Sequence, residues 1–326
     1  MMNLRRLRFP TKNPDNISID SSRCDAVSEY NPIFWELSYH AGRYLQDTPL
    51  DEINSRYNDI LRNIRTLVSE EGAVKPITWI DSSWYWFKKE HQTRLEFEIR
   101  SEKLPCEPPW DIHFNNTYHD APLRPRHFNA GDVLFRYCKF KYLNQLLQDG
   151  HLRLRPASDY TSIENDKARQ DNETSKSTLH GSSSVRVSTE SGEQIPVIGI
   201  LTKTVSMKNY YVFCLSGDWD RGLFEDFKGS DTCLVIRDGN SFIDRVKLSS
   251  QISLPGWECF FVPVHYYDPY TPSLQTPIDP AMSKDFRYAY QRELRLIWVP
   301  PNTEDSKGFR FIQIGNIEDI AFLCSK

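Results

Sequence analysis

The sequence predicts an α+β protein, helical in its first third and built from packed sheets after that. Two observations carry this. Apolar residues recur at helical spacing through about residues 25–103, and after residue 131 the pattern becomes short alternating or continuously apolar runs separated by turn residues. Between them, five prolines fall within 104–132 without any periodicity, which marks a linker or surface arm. The expected organisation is a helical region over 1–103, a Pro-rich arm over 104–130 and a sheet domain over 131–326.

In "LDEINSRYNDILRNIRTLVSEEG" the positions Leu50, Ile53, Tyr57, Ile60, Leu61, Ile64, Leu67 and Val68 form one helical stripe, with Gly72 as its stop. "NPIFWELSYHAGRYLQD" predicts a second helix with Pro32 in its first turn. "SSWYWFKKEHQTRLEFEIRSEKL" predicts a third, capped by Ser82 or Ser83. The aromatic cluster Trp79, Trp84, Tyr85, Trp86 and Phe87 is assigned to packing.

Beyond the arm, "DVLFRYC" reads as a strand, "KFKYLNQLLQDG" as a helix ended by Gly150, and "HLRLRP" as a strand with strict alternation. "NDKARQDNE" reads as helical, and the Ser-rich "SKSTLHGSSSVRVSTESGEQ" as a loop or a partly disordered excursion. "YYVFCLS", "DTCLVIRD", "WECFFVPVHYY", "RELRLIWV" and "GFRFIQI" follow as strands, with "NSFIDRVKLSS" as a helical insert. This alternation predicts packed sheets and not a doubly wound parallel sheet.

Composition excludes several function classes. A net charge of −4 provides no general electrostatic case for nucleic-acid or membrane binding, although local basic clusters stay open. The basic start "MMNLRRLRFPTK" lacks the apolar stretch of a secretory signal, and no apolar run reaches the roughly 18 residues of a membrane span. Seven cysteines without a CxxC fit reduced thiols in a cytoplasm-like compartment. His113, His119 and His127 lie near Asp111 and Asp120, but their spacing matches no standard ligand pattern, so no metal is expected. Neither GxGxxG after a strand nor GxxxxGK[ST] occurs.

Polar residues stand where strands should be apolar. Arg136 lies in "VLFRY", Ser216 ends "YYVFCLS", and Gln291 and Glu293 open "RELRLIWV", where period-2 alternation predicts both on one strand face. Arg, then Ser, then [Gln/Glu]-x-Glu resembles the Arg–Ser–Glu pattern of ADP-ribosyltransferases. The segments "LFRYCKFKYLNQLLQDGHLRLRPASDY…NDKARQDNE", "YYVFCLSGDWD…DTCLVIRDG" and "KDFRYAYQRELRLIW" are similar to a bacterial family without an assigned function that is thought to share that fold. The likeness covers about residues 131–323. It departs at Leu215-Ser216-Gly217, where many such enzymes carry Ser-Thr-Ser.

This resemblance implies NAD as substrate and transfer of ADP-ribose to a protein or nucleic acid. Glu293 would act on the ribose, Arg136 and Tyr137 would bind the cofactor, Ser216 would line or orient the site, and Gln291 would address the acceptor. Tyr137, Tyr160, Tyr210 and Tyr211 are all candidates to stack on nicotinamide. Asp166, Arg169, Asp171 and Glu173 also resemble the family, with a solvated helix face as the alternative. Proteins of this type act as toxins, effectors or phage-defence proteins, with an antitoxin or immunity protein as partner. NAD hydrolysis, or nucleotide or partner binding without chemistry, are the competing expectations on the same residues.

Overall fold

The computed structural model describes residues 32–67, 85–106, 133–161, 171–182, 185–217, 219–271, 278–302 and 306–326. Residues 107–130 of the expected arm, the three histidines, Trp79, Trp84, Gly72, Asp166, Arg169 and the basic N-terminal cluster lie outside them. The fold is α+β, with a helical N-terminal region and a sheet-rich C-terminal part.

Among the described residues three helices come first: α1 (Pro32–Gly42), α2 (Leu50–Leu67) and α3 (Tyr85–Ile99). On α2 the predicted stripe is the buried one: Ile53, Tyr57, Ile60, Leu61 and Ile64 are all buried, and Asp51 and Glu52 complement the N-terminal end of the helix dipole. On α3 burial is not confined to apolar positions. Lys89, Glu90, Gln92, Thr93 and Glu96 are buried alongside Trp86, Phe87 and Phe97. The polar groups are tolerated because they are paired. Glu96 accepts from Tyr39 Oη at 2.5 Å, Arg43 Nε at 3.0 Å and Arg100 Nε at 2.5 Å, and Glu90 accepts from Tyr57 Oη at 3.1 Å.

The remaining elements are β1 (Leu134–Cys138), α4 (Phe140–Asp149), β2 (His151–Pro156), β3 (Ser175–Gly181), β4 (Val187–Ser188), β5 (Gln194–Ile195), β6 (Ile200–Ser206), β7 (Tyr211–Ser216), α5 (Leu223–Asp226), β8 (Thr232–Ile236), α6 (Gly239–Ser253), β9 (Glu258–Pro263), β10 (His265–Tyr267), β11 (Ser283–Asp285), β12 (Glu293–Val299), β13 (Arg310–Gln313) and β14 (Ala321–Ser325). Eight strands form the main sheet. Its path runs β13-β2-β7-β1-β8-β14, while β12 pairs with β7 on one side and β9 on the other. β7 and β12 are apolar and buried almost throughout, as strands covered on both faces require.

The Ser-rich excursion is not a loop. It contains β3 and leads into the small β4–β5 hairpin, and β3 pairs with β6, which follows just beyond it. Strict alternation is absent there because β6 is largely exposed and has no buried face to enforce it. The chain divides into two compact units, Met1–His127 with Leu179–Lys203, and Phe128–Thr178 with Thr204–Lys326. Within the first unit, Ser182 donates through its N–H and its hydroxyl to Asp47 Oδ2, so part of the excursion groups with the helices instead of continuing a 131–326 domain.

The strand "RELRLIWV" begins two residues later than alternation predicts. Phe286–Gln291 is a 3₁₀ segment, and Arg292 follows at φ 44° with its N–H bonded to Ala289 O at 3.2 Å. A residue in the left-handed region ends the 3₁₀ turn and cannot belong to a strand, so Gln291 is not on β12.

Candidate functional site

The site grows from a fork in the sheet. One edge of β7 is shared by two strands: β2 pairs at Tyr211 and Val212, and β1 pairs at Ser216. The other edge is covered by β12 along its length, with Glu293 opposite Ser216 and Arg295 opposite Cys214. Gly217 N donates to Arg292 O, and Glu293 O accepts from Val264 N. Backbone groups at the Ser216–Glu293 pair therefore point away from each other, and by the period of two the Cys214 carbonyl also points to the forked edge. There β2 has ended and β1 has only begun. Arg136 Nη1 supplies the missing donor, bonding Cys214 O.

A cleft of about 490 Å³, counted out to open solvent, lies at this fork. Arg136, Ser216, Glu293 and Gln291 line it together with Lys284 and Tyr160. Arg136 stacks its guanidinium 4.5 Å from the Phe213 ring centre. Beyond the bond to Cys214 O it makes no hydrogen bond and no ion pair with a described residue, so most of its five N–H donors are unused among the described residues. Buried or half-buried arginines normally spend those donors on carboxylates or carbonyls.

Glu293 stands in a buried charge network. Its Oε2 accepts from Lys284 Nζ at 2.8 Å and its Oε1 from Arg295 Nε at 2.6 Å. Arg295, which is fully buried, also donates to Glu173 Oε1 at 2.8 Å and to Ala281 O at 2.8 Å. Glu173 Oε2 lies 2.8 Å from Arg295 Nη1 and 3.6 Å from Lys176 Nζ without a well-directed hydrogen bond, so that oxygen is held by charge alone. Lys176 continues to Asp171 Oδ2 at 2.5 Å. Asp171, Glu173 and Glu293 thus balance Lys176, Lys284 and Arg295. Burial by itself would raise the Glu293 carboxyl, but Arg295 and Lys284 outweigh it and hold the group well below the usual carboxylate range.

Gln291 reaches the same Lys284 although it is not on the strand: its Oε1 accepts from Nζ at 3.0 Å, and its Nε2 donates to Tyr290 Oη at 3.2 Å. The expected proximity of Gln291 and Glu293 arises through a shared ammonium and not through strand alternation. Ser216 donates its hydroxyl to Gln291 O at 2.9 Å and so ties β7 to the turn that presents both residues. Tyr266 Oη accepts from Glu293 N at 2.8 Å and fixes the turn from the other side.

Of the four tyrosines, Tyr137 and Tyr160 line the cleft. Tyr137 packs among Trp219, Phe224 and Phe227, and its hydroxyl accepts from Asp220 N at 2.9 Å. Tyr210 and Tyr211 are elsewhere: Tyr210 Oη donates to Glu173 O at 3.0 Å, and Tyr211 stacks on Trp257 and donates to Lys307 O. Both are fully buried, Tyr210 just before β7 and Tyr211 at its start, and neither lines the cleft, which rules them out as stacking partners for a ligand there. Cys214 also lines the cleft, but burial pushes its thiol up to about 12, so it is protonated and a poor nucleophile at neutral pH.

Lys284 and the buried role of Glu173 were not signalled by sequence. Glu173 belongs to no solvated helix face; it is the second anchor of Arg295. Among the described residues no group of His, Cys, Asp and Glu could hold a metal ion, and no helix is long and apolar enough to cross a membrane. Comparison with protein-family models, curated proteins and solved structures found no match.

Proposed function

We propose that this chain cleaves NAD between nicotinamide and ribose and passes the ADP-ribose to a macromolecular acceptor. One observation carries the reading: Arg136, Ser216 and Glu293 come from distant parts of the sequence and meet at one cleft where β7 forks. Arg136 offers unused donors in a planar fork, which suits a diphosphate. Glu293, kept ionised by its two cationic neighbours, offers negative charge where cleavage of a glycosidic bond develops positive charge. Ser216 acts through the Gln291 carbonyl as a positioning residue. Tyr160 and Tyr137 provide aromatic walls.

A second reading, binding of a nucleotide without chemistry, is favoured by a different observation. Both Glu293 oxygens already accept from Lys284 and Arg295, which lowers the negative charge available to a substrate.

The two readings separate in one experiment. Wild type, Glu293→Ala and Glu293→Gln are incubated with NAD and cell lysate, and nicotinamide release and labelled ADP-ribose are followed. Transfer requires label on a macromolecule, with release at least about 100-fold lower in both variants. Release without label assigns hydrolysis. NAD left intact by wild type, with Arg136-dependent NAD binding, assigns the binding module.

A further inference from the structure

A second face of the same sheet carries cations interleaved with aromatic rings. β13 pairs antiparallel with β2, placing Phe311 opposite Arg153. By the period of two, Phe309 and Arg155 share that face, while Leu152, Leu154 and Ile312 on the other face are fully buried. The Arg153 guanidinium carbon lies 4.7 Å from the Tyr142 ring centre and 4.8 Å from that of Phe309. Arg155 lies 5.4 Å from Phe309 and 5.4 Å from Tyr160. Lys141 extends the row, 4.7 Å from Tyr142.

None of Lys141, Arg153 and Arg155 forms an ion pair with a described carboxylate; Lys141 and Arg153 reach only the Tyr142 side chain. Two rings are strongly exposed, Phe311 at 61% and Phe309 at 46%. Cations without carboxylate partners on a chain of net charge −4 call for an explanation. Exposed rings flanking them call for a ligand with flat apolar faces as well as negative charge. A duplex offers phosphates but keeps its base faces stacked, and an acidic peptide offers charge without flat faces. Single-stranded nucleic acid offers both in alternation.

We infer that the face formed by β2, β13 and α4 binds single-stranded nucleic acid, with bases stacked on Phe311 and Phe309 and phosphates on Arg153, Arg155 and Lys141. Tyr160 belongs both to this face and to the wall of the cleft, so a bound strand runs up to the cleft mouth. If the cleft transfers ADP-ribose, the acceptor class is then a nucleic acid; that last step rests on the proposed function, and the binding does not.

Fluorescence anisotropy with labelled oligothymidylate and oligouridylate, in the absence of NAD and at several salt concentrations, tests the binding alone. Phe311→Ala is expected to weaken it at least about fivefold, since each base stacked on an aromatic ring contributes substantially. The pair Arg153→Gln and Arg155→Gln is expected to reduce the slope of log affinity against log salt by about 1.4, roughly 0.7 per lost phosphate contact. Both residues are half-buried, so circular dichroism checks that the fold persists in the variants. Absence of binding at about 50 mM salt overturns the proposal. So does a duplex bound as tightly as a single strand, or binding that Phe311→Ala leaves unchanged. Competition by polyglutamate as effective as by an oligonucleotide overturns it in favour of an acidic protein partner. Glu293→Ala should keep oligonucleotide binding, so loss of one property is distinguishable from loss of the other.

Discussion

Lys284 reaches 2.8 Å from Glu293 Oε2 and 3.0 Å from Gln291 Oε1, and both acceptors are buried with it. Removing it would strand a carboxylate oxygen and an amide oxygen in the interior. Breaking one partner of a buried ion pair typically costs about 3–5 kcal/mol, because the remaining charge has lost both water and partner. Lys284→Met is expected to lower unfolding free energy by that amount in urea titrations. An unchanged midpoint would mean that solvent already reaches the network. Glu293 was legible in the sequence, because a glutamate at the head of an apolar strand, third in an Arg–Ser–Glu order, is unusual as a set. Lys284 was not, since its meaning comes from a contact and not from its neighbours in the chain.

At the scale of elements, the junction of α4 and β2 was the most readable part. Gly150 was expected as a stop, and it adopts φ 68° with its N–H bonded to Leu146 O at 3.2 Å. The structure adds a second demand: a Cβ at Gly150 would lie 2.2 Å from the backbone oxygen of Gly315. Gly150→Ala should therefore cost more than the ~1–2 kcal/mol of a left-handed residue alone, read as a fall in melting temperature of several degrees. A shift within error would show that the Gly315 turn yields freely. Elements with one buried face, such as β2, were read closely. β6, exposed along most of its length and so without one, was missed; the 3₁₀ segment before β12 was misread because its buried Phe286, Tyr288 and Tyr290 mimic strand alternation although its backbone is coiled.

For the whole molecule, the shared theme of both compact units is buried carboxylates held by cations. Burial would raise Glu96, but Arg43, Tyr39 and Arg100 outweigh it and lower the group; Arg295 and Lys284 do the same for Glu293. A carboxylate whose folded value lies below its unfolded value of about 4.3 stabilises the fold above that pH. The contribution is lost as pH falls from there through the folded value. Asp285 runs the other way, raised by burial, and offsets a part. Urea midpoints should ease down between about pH 7 and 5, where buried His91 resists the proton that the unfolded chain takes up, and fall steeply below about pH 4, less so in Glu96→Gln. Midpoints unchanged down to pH 3 would contradict the ionised network.

The sequence by itself determined the α+β class, the helices around the Ile53–Ile64 stripe, most strands, and the order Arg136, Ser216, Glu293. Each is written in local periodicity or chain order, which the backbone geometry of helices and strands translates directly. Only the tertiary structure decided that β7 forks, that Arg136 fills the gap at the Cys214 carbonyl, and that Glu173 meets Arg295 across 122 residues of chain. Such contacts follow from how strands with no shared period stack in one sheet, and no local pattern in the chain can encode which distant charge a buried charge will find.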